Sequence, residues 1–172
     1  MAFLILFYGR FIHTSIFFKG RMMEKNLTWE RDEYWVTTDK SKIDIHFVHS
    51  ELTQLFWARG VEVEKVKTAI ENSICFALFH RDKEIGFARL VTDFAMFSYI
   101  SDVFIIDDYQ KKGLGRWLVE CILQHPIIPH VKHVMLVTSN AGWLYKKLGF
   151  SPVVDQDFVW TLDGTKIPGT SE

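Results

Sequence analysis

"DDYQKKGLGRWLV", residues 107–119, places two glycines where an apolar helical run begins. Glycine costs roughly 1 kcal/mol against alanine inside a helix. Gly113 and Gly115 therefore mark either an ordinary strand-to-helix turn or a point where something approaches the backbone closely. Downstream, Leu114, Trp117, Leu118, Cys121 and Ile122 fall at i, i+3, i+4, i+7 and i+8, the stripe of an amphipathic helix. His125-Pro126 stops it, because proline lacks the next backbone donor and crowds the previous turn. Upstream, "MFSYISDVFII" (96–106) reads as a long strand.

Working outward, the pattern alternates between period two and period 3.6. "EYWVTT" (33–38) is a short strand, and Val48, Leu52, Leu55 and Phe56 give a helix from Asp44 that stops near Gly60. Val63, Val66 and Ile70 mark a second helix, ending around Asn72. "SICFALFH" (73–80) and "IGFARLVTD" (85–93) are expected to pair antiparallel across the tight turn "RDKE". "HVMLVTS" (133–139) is apolar nearly throughout, so a central strand is expected. A short helix carrying Ala141, Leu144, Tyr145 and Leu148 follows, with Gly149 as its stop and "FVWTL" (158–162) as a last strand. This order predicts a mixed α/β layer in which a crossover helix makes 96–106 and 133–139 parallel neighbours.

Composition narrows the function. The 172 residues suit one domain, with 48% hydrophobic and 24% charged residues. A net charge of −1 offers no bulk attraction to nucleic acid or an anionic membrane. Cys75 and Cys121 both lie in apolar patterns, so buried thiols in a cytoplasmic protein are expected rather than a disulfide. Nothing has the spacing of a metal site: C-x-x-C and H-E-x-x-H are absent, and His46 and His49 lack a third ligand. Residues 1–22 form a hydrophobic extension whose longest unbroken apolar run is Met1 to Tyr8. A span needs about 20 predominantly apolar residues, so stable insertion is not expected. The remaining readings are a dispensable extension from an upstream start, with Met22 or Met23 as the functional one, or an element packed on the domain or between subunits. Residues 23–172 are then one domain, a monomer or homodimer.

A helix start offers unpaired N–H groups and a partial positive potential. Two glycines remove the side chains that would hold an anion away from them, a design suited to a phosphate or pyrophosphate. Lys111 and Lys112 add charge at the rim. The sequence lacks G-x-x-x-x-G-K-[ST], and its glycine spacing falls short of G-x-G-x-x-G, which disfavours P-loop hydrolases and Rossmann dinucleotide domains. A glycine that merely permits a turn is the plain alternative.

"VFIIDDYQKKGLGRWLVECIL" resembles the acetyl-CoA-binding motif of the GNAT acetyltransferase superfamily, Gln/Arg-x-x-Gly-x-Gly/Ala after a strand. Gln110, Lys111, Lys112, Gly113, Leu114 and Gly115 match it position by position. "SNAGWLYKKLGF" resembles the family's Asn-x-x-x-x-Tyr-x-x-x-Gly-Phe segment through Asn140, Tyr145, Gly149 and Phe150. The likeness covers Tyr34 to Leu162. Asp107 departs from it, standing where many members carry proline, which loosens the loop's rigidity.

The resemblance implies a GNAT-like α/β (α+β layered) fold: a mixed, mostly antiparallel twisted sheet, helices on both faces, and a parallel pair splayed around a CoA cleft. It implies acetyl transfer from acetyl-CoA to a primary amine of a small acceptor, by direct attack in a ternary complex and without a metal. Phe104, Ile105, Arg116 and Asn140 join the glycine loop as cofactor-binding positions, with the Ile105 N–H as donor to the developing oxyanion. Tyr145 maps to the acid that protonates the CoA thiolate; its alternative is a tyrosine buried on a short helix and satisfied elsewhere. Asp102 is a candidate to orient or deprotonate the amine, or else a structural carboxylate satisfied by neighbours. Tyr99 and Ser101 lie nearby, and Trp57, Arg59 and Asp93 are candidates to line the acceptor pocket. A module that keeps the acyl-CoA cleft without turnover, serving as a sensor or interaction subunit, is the competing reading.

Overall fold

The computed structural model describes residues 26–153. Two compact units divide them, one running to Val137 and the other starting at Thr138. The first contains a six-stranded sheet whose strands lie in chain order. These are β1 (Thr28–Arg31), β2 (Tyr34–Thr37), β3 (Ile74–His80), β4 (Lys83–Thr92), β5 (Phe97–Ile105) and β6 (His133–Met135). The first five run antiparallel to their neighbours, and β5 pairs with β6 in parallel. The parallel step is made by α3 (Leu114–Leu123), as the crossover pattern predicts.

Helices cover both faces of the sheet. α1 (Ile45–Gln54) and α2 (Val63–Glu71) bury Val48, Leu52, Val66 and Ile70 against Cys75, Ala77, Phe79, Phe87 and Phe104. The opposite face receives α3, whose Leu114, Leu118, Cys121 and Ile122 are buried against β3, β4 and β5. With both its faces covered, β3 reads as a continuous apolar run rather than an alternating one. α1 starts where Asp44 caps it, accepting the His46 and Phe47 N–H groups at 2.9 and 3.1 Å. The His49 ring contacts the Val61 carbonyl at 3.0 Å, so this histidine ties α1 to the segment before α2.

Several expectations change. β1 was not foreseen: "TWER" is polar, only Trp29 is partly buried, and the strand forms by pairing with β2. The turn between β3 and β4 contracts to Arg81-Asp82, with Arg81 at φ 54°, so Lys83 and Glu84 belong to the strand. The apolar run 133–139 supplies only three strand residues, and β6 lies at one end of the described sheet rather than in its centre. α1 closes at Gln54, and residues 55–60 form turns. The extension 1–22 and the expected strand 158–162 lie outside the described residues. Among those residues, no helix is long and apolar enough to cross a membrane.

Burying Glu84 has a cost. One carboxyl oxygen accepts the Asp44 N–H at 2.9 Å, while Oε1 is buried with no hydrogen-bond partner among the described residues. Desolvation pushes its pKa from the ordinary 4.5 up to about 8, so the group is protonated at neutral pH. The second unit contains α4 (Gly142–Lys147), closed by Gly149 at φ 90°.

Candidate active site

β5 ends in a short 3-10 turn, Asp107–Tyr109, that delivers the chain to the glycine stretch. Gly113 is the N-cap of α3 and adopts φ 76° and ψ 4°, left-handed geometry that glycine reaches without penalty. Lys111 lies at φ 60°, an uncommon conformation for a residue with a Cβ. A Cβ built on Gly113 meets nothing within 4 Å among the described residues, which leave the space before the helix start open. The Tyr109 and Gln110 N–H groups turn back onto Ile106 and Asp107, whereas those of Lys111 to Arg116 donate to no acceptor among the described residues. The loop thus presents a row of unpaired donors at the positive end of a helix, flanked by two exposed lysines.

The loop is tied down from behind. The Gln110 amide nitrogen donates to the Ile105 carbonyl at 3.0 Å and to the Asp107 carboxylate at 2.7 Å. Asp107, expected to loosen the turn where others carry proline, instead fastens it through a side-chain hydrogen bond. Gln110 accordingly shapes the loop with its amide nitrogen. Arg116 pairs with Glu120 at 2.8 Å along α3.

The edge of β5 facing β6 has a defined polarity. The Ile106 N–H donates to the Ile85 carbonyl at 3.0 Å, on the β4 side. Strand alternation turns the Ile105 N–H the other way, toward the β6 side. Pairing with β6 covers only Phe97 to Tyr99. From Ile100 to Ile105 this edge therefore carries no strand partner among the described residues, the opening expected of a splayed parallel pair. On its other side β5 presses close to β4. A Cβ on Gly86 would stand 2.8 Å from the Phe104 carbonyl oxygen and 2.6 Å from an Ile105 methyl.

Asp102 occupies a bulge. Between the matched pairs Arg89–Ser101 and Phe87–Phe104, Ala88 alone stands against Asp102 and Val103, and Asp102 takes φ 54°. Its carboxylate accepts Arg89 Nε at 2.6 Å and the Ser101 hydroxyl at 3.0 Å. Arg89 also donates to the Ser73 hydroxyl at 2.9 Å. Both charged side chains are about 15% exposed, at 15% and 14%. Asp102 is thus satisfied by neighbours, the structural alternative for this position.

The acceptor candidates do not converge. Asp93 is exposed and accepts the Ala95, Met96 and Phe97 N–H groups at 3.0, 2.8 and 2.9 Å. Those bonds, that from Phe97 foremost, hold its pKa down and make it the organiser of the β4–β5 turn. Trp57 and Arg59 are exposed in the turns after α1, where Trp57 packs edge-on against Phe56. Tyr99 stands opposite Val91 on β5 and is partly buried. None of the four lines the two grooves, of about 570 and 520 Å³, that meet at Asn72 and Ser73 beside Arg89. In the second unit, Asn140 is exposed ahead of α4, and Tyr145 is buried with its ring edge-on to Phe150. Desolvation raises the Tyr145 pKa, which keeps the phenol protonated.

Sequence reasoning did not single out Arg89, Gly86, His80 or Tyr109. Each draws its role from a partner at least 13 residues away in the chain, as with Arg89 and Asp102.

The arrangement defines an α/β protein with a row of free backbone N–H groups, among the described residues, at the end of an opened strand edge. A family model for the acetyltransferase (GNAT) domain matches residues 71–152. An uncharacterized N-acetyltransferase, ycf52, of Pyropia yezoensis is 33% identical over 127 residues, covering 70% of this chain and 72% of the relative. A Gibberella zeae protein named as an acetyltransferase is 28% identical over 145 residues, covering 72% and 81%. A Xanthomonas campestris crystal structure assigned to the GNAT family superposes with a TM-score of 0.73 at 30% identity, covering 80% of this chain and 97% of that one. The chain belongs to the GNAT acetyltransferases. That family uses acetyl-CoA, and the unpaired donors and open approach at Gly113 fit a pyrophosphate of that kind.

Proposed function

We propose that this enzyme transfers the acetyl group of acetyl-CoA to a primary amine of a small acceptor, by direct attack in a ternary complex. The observation that carries the reading is the continuity of two features among the described residues: N–H groups from Lys111 to Arg116 that meet no acceptor, and a β5 edge without a strand partner that presents the Ile105 N–H. Acetyl-CoA supplies the activated thioester that the amine attacks. The loop N–H groups, with Lys111 and Lys112, bind the pyrophosphate by backbone and charge. Ile105 N–H donates to the acetyl oxygen as negative charge develops there, a contact worth most when the donor is already held in place. Its strand is held in place by the β4 ladder and the Gln110 bond to the Ile105 carbonyl.

Tyr145 is the proposed donor to the departing thiolate, since a buried phenol with a raised pKa retains the proton it must give. Asp102, bonded to Arg89 and Ser101, acts by holding the bulged strand rather than as the base; the amine loses its proton to water. The thiols of Cys75 and Cys121 are both buried, which supports a reducing, cytoplasmic setting.

A panel of amines and amino acids with acetyl-CoA, followed by free thiol release, tests the reading. At least one acceptor should accelerate release well above hydrolysis. Uniform slow hydrolysis across the panel, with CoA still bound, would favour the non-catalytic acyl-CoA-binding module.

A further inference from the structure

Tyr109 lies immediately before Gln110 and three residues before Lys112, yet its side chain contacts the far ends of three strands. Its hydroxyl is 3.0 Å from His80 Nδ1, at the end of β3. The His80 ring stacks on Tyr34 of β2 at 4.8 Å, and Tyr34 meets Tyr109 edge-on at 6.5 Å. His80 Nε2 is 3.4 Å from a Glu33 carboxylate oxygen, in the β1–β2 turn. Lys112 Nζ stands 4.7 Å from the centre of the Tyr109 ring, and Lys83 Nζ from β4 stands at 5.6 Å. The polarity is self-consistent. With Nε2–H donating to Glu33, a neutral His80 must accept at Nδ1, so the Tyr109 O–H donates.

We propose that Tyr109, held by His80, is a positioning residue for the anion-binding loop, setting the place of Lys112 and of the N–H groups that follow it. The proposal rests on the acetyl-CoA reading above and extends it to a group that touches no substrate. Its physical basis is that Lys111 and Gly113 both adopt left-handed conformations, so the loop's shape depends on restraint at its base. Gln110 supplies one tether, to the β5 end. Tyr109 supplies the second, to β3, and its ring face seats the Lys112 ammonium.

The test separates placement of the loop from general stability. Tyr109→Phe removes only the hydroxyl and keeps the ring. Calorimetry should show CoA, which carries the pyrophosphate, binding about threefold to tenfold more weakly, the worth of one hydrogen bond. KM for acetyl-CoA should rise by that factor with kcat unchanged. Acetyl-pantetheine lacks the pyrophosphate, so its kcat/KM should not move. His80→Ala should give the same loss of CoA affinity, and combining the two should add nothing further.

Unchanged CoA affinity in Tyr109→Phe would overturn the assignment. Equal losses for acetyl-CoA and acetyl-pantetheine would also overturn it, by showing a merely structural role. A wild-type chain that binds no CoA would remove the acetyl-CoA reading itself, and this assignment with it.

Discussion

Replacing Gly86 by alanine adds one methyl where β4 and β5 lie closest, and the structure states what that methyl must displace. The added carbon would stand 2.6 Å from Ile105 Cδ1, 2.8 Å from the Phe104 carbonyl oxygen and 3.4 Å from Leu78 Cδ2. The Ile105 methyl can rotate aside. The carbonyl oxygen cannot, because Phe104 is fixed in the ladder opposite Phe87. Ordinary carbon–oxygen contacts in sheets lie at about 3.3–3.6 Å, so β5 must withdraw by about half an ångström or more. Overpacking of this kind costs about 1–3 kcal/mol. At about 2 kcal/mol, Tm should fall by about 4–8 °C in a chain of this size. Catalysis should suffer beyond that, because the displaced segment carries the Ile105 N–H. A misplacement near 1 Å can cost about a hundredfold in rate, so about tenfold in kcat is expected from half that shift. Thermal melting followed by circular dichroism, with steady-state thiol release on the folded variant, measures both effects. An alanine variant that melts with the wild type and turns over normally would refute the close-approach argument. A lower Tm with unchanged kcat would refute the link to Ile105.

Three further outcomes are expected. Arg89→Gln leaves the Asp102 carboxylate largely buried with the Ser101 hydroxyl and no cation bonded to it among the described residues, and urea unfolding should show a loss of about 3 kcal/mol. Asp102→Asn, which tolerates the left-handed backbone, should lose less. Glu84 has a folded pKa of about 8 against an ordinary 4.5, so the folded state holds a proton that the unfolded chain releases between those values. Its contribution to stability is therefore present in full below pH 4.5 and declines as pH rises to about 8. Unfolding titrations of Glu84→Gln should lack that decline, and an identical pH profile would show that Glu84 does not carry it. Tyr145→Phe should lower kcat about 10²-fold or more while the calorimetric affinity for CoA stays within about twofold, the pattern of a lost proton donor. Unchanged turnover would take Tyr145 out of the mechanism.

The legible parts of the chain were those whose reasons are local. The helical stripe from Leu114 to Ile122, the Pro126 stop and the Gly113 turn are written in consecutive residues, and α3 forms as they require. The antiparallel pairing of β3 with β4 and the parallel partner of β5 follow from the same kind of signal. β1 was hidden because an exposed strand stabilised by its neighbour needs no apolar alternation. Gly86 read as an ordinary strand residue, since its need arises only when Phe104 is brought against it. Arg89 and His80 were silent for the same reason: a charged or polar side chain inside a sheet discloses nothing until its partner arrives. Asp93 is ambiguous in another way, because a carboxylate that organises a turn and one that meets a substrate look alike in sequence.

The extra residue at Asp102 carries a consequence for how this fold can vary. Ahead of it, Ser101 shares a face with Arg89; beyond it, Phe104 joins Phe87 and Phe47 on the side of α1, leaving Ile105 to point toward Gly115 of α3. The same residues in unbroken alternation would set Val103 against Phe87 and reverse that assignment at every later position. The departure point of the glycine loop is thus governed by parity. Loss of one residue between Ser101 and Phe104 would leave a single residue against Ala88, erasing the bulge while keeping Phe104 on its side, whereas loss of both would turn the end of the strand inside out. The surplus residue is therefore the one position of this segment that can be shed without changing which way its end faces.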